Sequence, residues 1–439
     1  MALFLYLTVT VLGALAAFLY APLKQGAIVM GLTRPLASWV NVHGLENRVI
    51  EDTVACEDVH YHAPTGMLYL GCVGDLVKAS GWFPGADALE HPEDPARGTF
   101  VVVDTKTLKS QKLELVGFPG PFVPHGLSIY SAPSDPTTVY IFAVNHVPNA
   151  AWTPQNQQLK TASRIEVFAH DAARAPAQAR HLRTVAHPLI RTPNDLLALS
   201  ERELLVTNDH RYLEGPLRVA EELARVVPSS RLGAWCNTVH VLLPDDGAPP
   251  NVTVALDSIP TNNGLGWGSS NSGQILLSDA TGGGVYFASL PDPQTRRVQV
   301  SHRVQTDGVV DNPSFYADAY AGYDGKDYSG YVLAGAGRAV DFVRNFKDPA
   351  ARAPLPSLVW YVPASAGEKK KKGGKGEGKG KVRLLFSDDG SSARGATTAV
   401  MVPIDPRENA GKREAWLFVT GAVAPHMLAT RIDLEKALG

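Results

Sequence analysis

The sequence predicts an all-β fold, a six-bladed β-propeller that follows an N-terminal hydrophobic helix. Three observations support this prediction: short apolar strands recur along the chain, polar turn segments precede them at similar steps, and glycine and proline are abundant. The 439 residues include 40 Gly and 32 Pro, which favours many short strands joined by turns over a helical bundle. A large irregular β-sandwich is the alternative arrangement of the same strands.

The composition excludes several classes of protein. Hydrophobic residues make up 45% of the chain and charged residues 19%, so the chain is not intrinsically disordered. Three cysteines in 439 residues do not make a disulfide-stapled mini-domain. The 41 Lys and Arg nearly balance the 43 Asp and Glu, so the charge gives no reason to expect a nucleic acid as partner.

The first segment has the length and composition of a membrane helix. Residues 2–21 carry no charge, and twenty helical residues at ~1.5 Å each span ~30 Å, the thickness of a hydrocarbon core. We predict a membrane anchor or uncleaved signal over residues 1–23 and a propeller domain over residues 24–439. A cleaved signal peptide is the alternative, although the run is long for one and no Lys or Arg precedes it.

The orientation of this segment is less strongly indicated. Lys24 and Arg34 follow the apolar run and weakly favour a cytosolic body. The single sequon Asn251-Val252-Thr253 favours a glycosylated body on the other side of the membrane. We predict a membrane-anchored glycoprotein whose body lies in the secretory-pathway lumen or outside the cell.

A degenerate repeat organises the rest of the chain. Six short apolar strands end alike in small or polar residues, and a polar segment with a turn precedes each of them by some 10 to 20 residues. Successive polar segments are about 50 to 90 residues apart, as expected for propeller blades. The strands are Leu68–Gly74, Val139–His146, Leu204–Asp209, Ile275–Asp279, Tyr331–Gly337 and Trp416–Gly421. The polar segments are Glu57-Asp58, His125-Gly126, Asn194-Asp195, Asn263-Gly264, Asp311-Asn312 and Thr397-Thr398.

These polar segments predict a metal site. Residues at equivalent positions of six blades meet on the propeller axis, and here they are mostly carboxylates and carboxamides. Hard oxygen donors suit calcium, which takes about 6–8 oxygen ligands, whereas zinc prefers Cys and His. Four carboxylates at one end of a channel would also repel one another unless cations neutralised them. The alternative is that Asn-Asp and Asn-Gly are ordinary turn dipeptides. The oxygen-bearing residues are Glu57, Asp58, Asn194, Asp195, Asn263, Asp311 and Asn312.

The ordered set of motifs resembles the paraoxonase/arylesterase family, calcium-dependent lactonases and esterases related to gluconolactonase-like proteins. The likeness runs from about Glu46 to the segment Gly421–Ile432, and the uncharged start is similar to the hydrophobic N-terminal segment that the family retains. The matching stretches are Glu57-Asp58, Pro124–Ser128, Val144–His146, Pro193–Asp195, Thr207–His210, Asn263-Gly264 and Val310–Asn312.

The resemblance implies two calcium ions in the channel and a pair of catalytic histidines. The deeper, structural ion would be held by Asp58, Asp195 and the backbone carbonyl of Leu127. His125 would lie beside the substrate, with His146 behind it. The upper, catalytic ion would be held by Glu57, Asn194, Asn263, Asp311 and Asn312.

The implied reaction is the hydrolysis of a lactone or an aryl ester. Calcium would polarise the carbonyl and stabilise the oxyanion. A water would attack, with His125 taking its proton and His146 orienting or relaying. Alternatively, Glu57 or Asp311 acts as the base, and His125 and His146 are structural. The partners are then a small lactone or ester and the membrane through residues 2–21.

The cysteines depart from the mammalian pattern of the family, in which a disulfide joins the two ends of the chain. Cys56, Cys72 and Cys236 are the only cysteines, and none lies near the C-terminus. We therefore expect the propeller to close by strand pairing. An odd count leaves at least one free thiol, and the sequence leaves a Cys56–Cys72 bridge open.

Two further segments stand out. Residues 216–227 predict an amphipathic helix, with Leu217, Ala220, Leu223, Ala224 and Val227 at three- to four-residue spacing. In the family such a helix lies beside the mouth, where it shapes the pocket or touches the membrane; simple packing is the alternative. Residues 367–381, rich in Lys and Gly and without apolar side chains, predict a disordered insert.

Three other functions are compatible with such a propeller. A sugar-lactone hydrolase of the gluconolactonase type uses one metal, and the second carboxylates Asp58 and Asp195 argue against it. A calcium-stabilised, membrane-tethered propeller without catalysis would need the ligands but not His125. A strictosidine-synthase-like propeller would not need these carboxylates.

Overall fold

The structure is a computed structural model. It describes the chain apart from residues 1, 157, 226–232, 246, 270–272, 291, 293, 349–352 and 368–381. The predicted Lys/Gly-rich insert therefore lies, from residue 368 onward, outside the described residues.

The N-terminal apolar segment is a single helix, α1 (Ala2–Val29), which continues through Pro22 beyond the uncharged run. By length and composition, its part Thr10–Val29 could cross a membrane, and most of it is exposed. Its last turn is docked on the rest of the chain, because Val29 is buried and the backbone N–H of Val340 donates to the Met30 carbonyl.

The remaining strands form a six-bladed β-propeller, as predicted. Blade six takes its outer strand β1 (Asn47–Ile50) from the start of the domain. Blade one contains β2 (Cys56–His62), β3 (Met67–Cys72), β6 (Thr99–Asp104) and β7 (Ser110–Lys112), with helix α2 (Leu76–Gly81) and the small hairpin β4 (Trp82–Phe83) and β5 (Ala88–Leu89) inserted after β3. Blade two contains β8 (Glu114–Val116), β9 (Pro124–Ala132), β10 (Asp135–Asn145), β11 (Arg164–Asp171) and β12 (Gln178–Val185).

The other four blades repeat the pattern. Blade three contains β13 (Pro193–Ala198), β14 (Glu203–Asn208), β15 (Cys236–Leu242) and β16 (Asn251–Ile259), with α3 (Pro216–Arg225) between β14 and β15. Blade four contains β17 (Asn262–Trp267), β18 (Gln274–Asp279), β19 (Gly284–Ser289) and β20 (Gln299–Gln305). Blade five contains β21 (Pro313–Tyr316), β22 (Gly330–Ala336), β23 (Ser357–Pro363) and β24 (Arg383–Asp388), with α4 (Ala321–Asp324) and α5 (Phe342–Phe346) as insertions. Blade six contains β25 (Thr398–Pro403), β26 (Glu414–Thr420) and β27 (Met427–Asp433), and α6 (Leu434–Leu438) follows it.

The repeated apolar strands of the sequence are the second strands of the six blades, and the polar segments lie at the beginning of the inner strands. The propeller closes by strand pairing, as expected from the cysteines. In blade six, β1 pairs antiparallel with β27, from Asn47 opposite Thr430 to Ile50 opposite Met427. This pairing joins the two ends of the propeller domain.

Alternating side chains of neighbouring blades pack into apolar clusters. Between blades two and three, for example, Phe142 and Val144 pack with Leu196, Leu204 and Val206, all fully buried. Such packing supplies most of the stability of a β-sheet protein and fixes the blades around the axis.

Two of the three cysteines form a disulfide. Cys56 and Cys72 lie opposite each other in the pairing of β2 with β3, with their Cα atoms 4.0 Å apart. Cys236 is a buried free thiol, as the odd count required. The disulfide ties down β2 immediately before Glu57.

Candidate active site

The inner strands bring the predicted polar residues together on the axis. The Asn312 side chain donates from Nδ2 to Glu57 Oε1 at 2.8 Å, although 255 positions separate these residues. Asp195 Oδ2 accepts from the Leu265 backbone N–H at 2.6 Å, and Asp58 Oδ2 accepts from the Leu127 N–H at 3.0 Å. Neighbouring blades are thus linked through the predicted metal ligands.

Two glycines allow this close approach. A Cβ atom on Gly126 would lie 2.5 Å from Asp195 Oδ1, and one on Gly264 would lie 2.5 Å from Asn312 Oδ1. Any side chain at either position would therefore collide with the polar residue of the next blade. This explains why glycine follows His125 and Asn263.

The upper predicted ligands share one property: each has a buried oxygen without a hydrogen-bond partner. Burying a polar atom without a partner costs free energy, so such a group calls for a ligand that supplies positive charge. These oxygens are Glu57 Oε2, Asn194 Oδ1, Asn263 Oδ1, Asp311 Oδ1 and Asn312 Oδ1.

The orientation of the carboxamides also favours a cation at this site. Asn312 Nδ2 donates to Glu57 Oε1 and to Thr398 Oγ1, and Asn194 Nδ2 contacts His125 Nε2 at 3.4 Å. The amide donors are therefore used within the protein and the amide oxygens are left for something else. The residues present fit an oxygen-liganded cation.

The charges of the channel favour a cation too. Burial, followed by the charges of Asp311, Asp58 and Asp195, raises the pKa of Glu57 well above its usual value. Burial and the charge of Asp58 raise the pKa of Asp195. Burial, followed by the charges of Asp58 and Asp209, raises the pKa of Asp311 to about 8. Buried carboxylates that resist ionisation beside other carboxylates ionise readily when a divalent cation lies next to them.

The predicted site is not a cluster of acidic or imidazole groups. In the part of the chain that the structure describes, no group of three or more His, Cys, Asp or Glu side chains is arranged to hold a metal ion. The upper predicted set has only two carboxylates, Glu57 and Asp311, and three carboxamides. The evidence for a cation at the upper set is the group of buried oxygens without hydrogen-bond partners.

The deeper predicted ligands are held by the backbone. Asp58 Oδ1 accepts from the Val59 N–H at 2.8 Å, and Asp195 Oδ1 accepts from the Leu196 N–H at 2.6 Å. Burial opposes ionisation of Asp58, but His60 and these hydrogen bonds keep its pKa below the usual value. Leu127, the predicted carbonyl ligand, is fully buried beside them.

The two predicted histidines form a hydrogen-bonded pair. His125 Nδ1 lies 2.9 Å from His146 Nε2, and His146 Nδ1 lies 2.7 Å from Ser163 Oγ. Burial lowers the pKa of His125 to about 4. Burial and the neighbouring His125 lower the pKa of His146 to about 3. Both imidazoles are therefore neutral at pH 7.

An inserted segment that the sequence did not single out covers this pair. The ring of Phe83 packs edge-on against His125 and His146, with centroids 4.9 and 5.7 Å apart. Trp82 Nε1 donates to the His146 carbonyl at 2.8 Å. The hairpin β4–β5 thus packs against one side of the histidine pair, and only its two aromatic residues could have signalled this.

A cavity of about 530 Å³ opens onto His125 and four of the five upper ligands, all but Asn312. One part of its wall is apolar, with Met30, Phe83, Phe342 and Phe346, and another part is charged. The sequence analysis pointed to charged residues of this lining through the matching stretch Thr207–His210 and the predicted helix, but it did not point to the apolar residues. The charged wall contains Asp209, His210, Arg218, Glu222 and Arg225.

The helix α3 lies beside this mouth, but its predicted apolar face is turned away from the protein. Leu217 and Leu223 are 55% and 68% exposed. The buried residues of α3 are Glu221 and Arg225, because Glu221 accepts the backbone N–H groups of residues 211 and 212 and pairs with Arg225 at 2.7 Å. Val227 lies outside the described residues. Simple packing of the apolar face is therefore wrong for Leu217 and Leu223.

The fold and the site together define a class: a six-bladed propeller with oxygen donors on its axis and a histidine pair at the mouth. Residues 71–240 match the family model named Arylesterase. Similar curated proteins are serum paraoxonase/arylesterase 1 of Mus musculus, 26% identical over 187 residues, and serum paraoxonase/arylesterase 2 of Homo sapiens, 28% identical over 187 residues. Serum paraoxonase/lactonase 3 of Oryctolagus cuniculus is 26% identical over 258 residues.

These matches cover part of each chain. The first two alignments include 42% of this chain and 44% of each relative, and the third includes 57% of this chain and 64% of the relative. The matches confirm that this chain resembles the paraoxonase/arylesterase family.

Proposed function

We propose that this protein is a calcium-dependent hydrolase of lactones or aryl esters. The observation that carries the proposal is the set of five unpartnered, buried oxygens, four of them on residues that line a cavity which also contains the neutral His125. The relatives include proteins named arylesterase and lactonase, which supports this class of reaction.

The upper ion would be held by the five side chains with unpartnered oxygens, Glu57, Asn194, Asn263, Asp311 and Asn312. A deeper ion would be held by Asp58, Asp195 and the carbonyl of Leu127. Calcium bound at the upper set would supply electrophilic stabilisation for a substrate carbonyl in the mouth. The two carboxylates of the upper set balance the charge of one such ion.

The histidine pair would supply the base. For His125 Nε2 to accept a proton from water, His125 Nδ1 must carry a hydrogen and donate it to His146 Nε2. His146 then carries its own hydrogen on Nδ1 and donates it to Ser163 Oγ. The contact of Asn194 Nδ2 with His125 Nε2 at 3.4 Å fits this tautomer, because an amide donates to an unprotonated nitrogen, and the attacking water would replace this long contact.

Ser163 is expected to act as a positioning residue for this tautomer. In Ser163→Ala, kcat for a lactone should fall about tenfold with little change in KM, since one hydrogen bond contributes about 1 kcal/mol. Ser163→Thr keeps the hydroxyl and should restore most of the rate. Steady-state kinetics of the three proteins test this, and a Ser163→Ala enzyme with unchanged kcat would remove Ser163 from the proposal.

An assay on a panel of lactones and phenyl acetate, with and without EDTA, tests the function. We expect hydrolysis that EDTA abolishes and added calcium restores. Activity that persists in EDTA would exclude a calcium mechanism. Inert protein that unfolds at a lower temperature in EDTA would favour the alternative of a calcium-stabilised scaffold.

The panel should include sugar lactones, since a gluconolactonase-type enzyme is the second candidate. Asp58 and Asp195 favour the two-ion enzyme, because each is fully buried on the axis below the upper set. A preference for sugar lactones would favour the second candidate.

The body is proposed to lie in the secretory lumen or outside the cell, anchored by α1. The Cys56–Cys72 disulfide supports an oxidising compartment. The exposed apolar residues of α3, such as Leu217 and Leu223, lie beside the mouth into which Met30 at the end of α1 also projects. This arrangement favours a mouth that faces the membrane.

Glycosylation of Asn251 tests the topology. Asn251 is exposed at the beginning of β16, the outer strand of blade three. In cells that glycosylate secreted proteins, the protein should migrate faster on a gel after glycosidase treatment, and Asn251→Gln should abolish that shift. A protein that carries no glycan in such cells would favour a cytosolic body instead.

A further inference from the structure

A second cavity, of about 500 Å³, lies at the opposite end of the axis. Its lining includes His60, Ser131, Trp267 and Ser314, which follow the polar segments along the inner strands. The mouth cavity touches the beginnings of the same strands. Among the described residues, the two cavities share no lining residue, so the layer of predicted ligands separates them.

The two cavities reach different ligands. Of the predicted ligands, the mouth cavity touches Glu57, Asn194, Asn263 and Asp311, whereas the second cavity touches Asp58 and Asn312. A cation that approached the deeper pair from the mouth would have to pass the upper set. A divalent ion bound there would repel it over a distance of a few ångströms.

At the second cavity, one side chain covers Asp58. His60 Nε2 contacts Asp58 Oδ2 at 3.0 Å, and the two side chains are 24% and 2% exposed. The other partners of the Asp58 carboxylate are the Val59 and Leu127 N–H groups and Thr398 Oγ1. Val59 and Thr398 also line the second cavity, but the Val59 donor is a backbone group, and Thr398 Oγ1 also donates to the Glu57 carbonyl at 3.0 Å. His60 is therefore the partner whose side chain can rotate into the cavity.

We propose that the deeper cation enters and leaves through the second cavity, and that His60 is the gate of this route. The inference rests on the proposed calcium sites and adds a path that is separate from the path of the substrate. The rotation of His60 into the cavity exposes one oxygen of Asp58 to solvent without disturbing the upper ligands.

Calcium release into a chromophoric chelator, followed by stopped flow, tests the gate. The full-length protein should release calcium in two phases, the slower from the deeper site. In His60→Ala, the slow release and the corresponding rebinding should both accelerate about tenfold, the effect of one lost hydrogen bond, while the calcium affinity changes little. His62→Ala is the matched control, because His62 lines the same cavity but bonds Thr65 and Ser131.

A second variant protects the test against a His60→Ala protein that fails to fold. Ala317 is exposed at the rim of the second cavity, so Ala317→Trp should fold and should slow the slow phase. A slow phase that neither variant alters, or faster release without faster rebinding, would overturn the gate. If the protein releases no calcium at all, the proposed function fails as well, and if it releases a single ion, only the deeper site fails.

Discussion

Replacing Asn263 by alanine is expected to lower kcat/KM for a lactone by about 10²–10³, the effect of removing one electrostatic stabiliser from a water-poor site. Asn263 contributes one of the five unpartnered oxygens and lines the mouth. Its loss should also weaken binding of the upper calcium, so added calcium should recover part of the rate. Kinetics over a range of calcium concentrations measure both effects.

The neighbouring residue provides the control. Asn262 Oδ1 is also buried without a partner, but Asn262 Nδ2 donates to Thr238 Oγ1 at 2.9 Å, and the residue does not line the mouth. Asn262→Ala should therefore destabilise the fold without changing the calcium dependence, and Asn263→Asp should retain activity because it keeps an oxygen donor. Full activity in Asn263→Ala would contradict the proposed upper site.

Replacing His125 by glutamine is expected to lower kcat by about 10²–10³, within the range for the loss of a general base. Calcium affinity should change little, because His125 is not a proposed ligand. The low pKa of about 4 keeps the imidazole of His125 unprotonated above that value. In the wild type, kcat/KM should therefore show no acid limb near pH 6.5, the ordinary value of a histidine.

His170→Gln is the matched control for this experiment. His170 is buried and its pKa is lowered by burial, yet its partner is Tyr69, at 3.0 Å, and it does not line the mouth. It should leave kcat unchanged. If His125→Gln kept the wild-type rate, the base would be Glu57 or Asp311, the alternative that the sequence left open.

The fold and the axial residues could be predicted because they repeat. The second strand of every blade is a buried apolar run, and the residues at the beginning of every inner strand meet on one axis, so spacing along the chain translates directly into position. The same logic predicted closure by strand pairing, once the cysteines excluded a disulfide between the two ends.

The apolar lining of the mouth could not be predicted, since it comes from insertions that do not repeat. Phe83 and Phe346 approach each other to 5.2 Å between ring centroids, although they lie in different blades. Nothing in their local sequence distinguishes them from core residues. The Cys56–Cys72 disulfide depends on the register of β2 with β3, which the sequence also left open.

The helix α3 shows a different reason for failure. Its apolar spacing predicted a packed face. Instead, the polar face of the helix packs against the protein, because Glu221 pairs with Arg225 and accepts hydrogen bonds from two backbone N–H groups. Local periodicity cannot reveal such partners, because they lie in a different segment of the chain.

The content of calcium per chain, measured by atomic emission after exhaustive dialysis against calcium-free buffer, tests the central claim most directly. We expect two ions in the wild type and one in Asn263→Ala, with both ions removed by EDTA at the cost of a lower melting temperature. A wild-type protein that contains no calcium, binds none on addition and melts at the same temperature in EDTA would contradict the account.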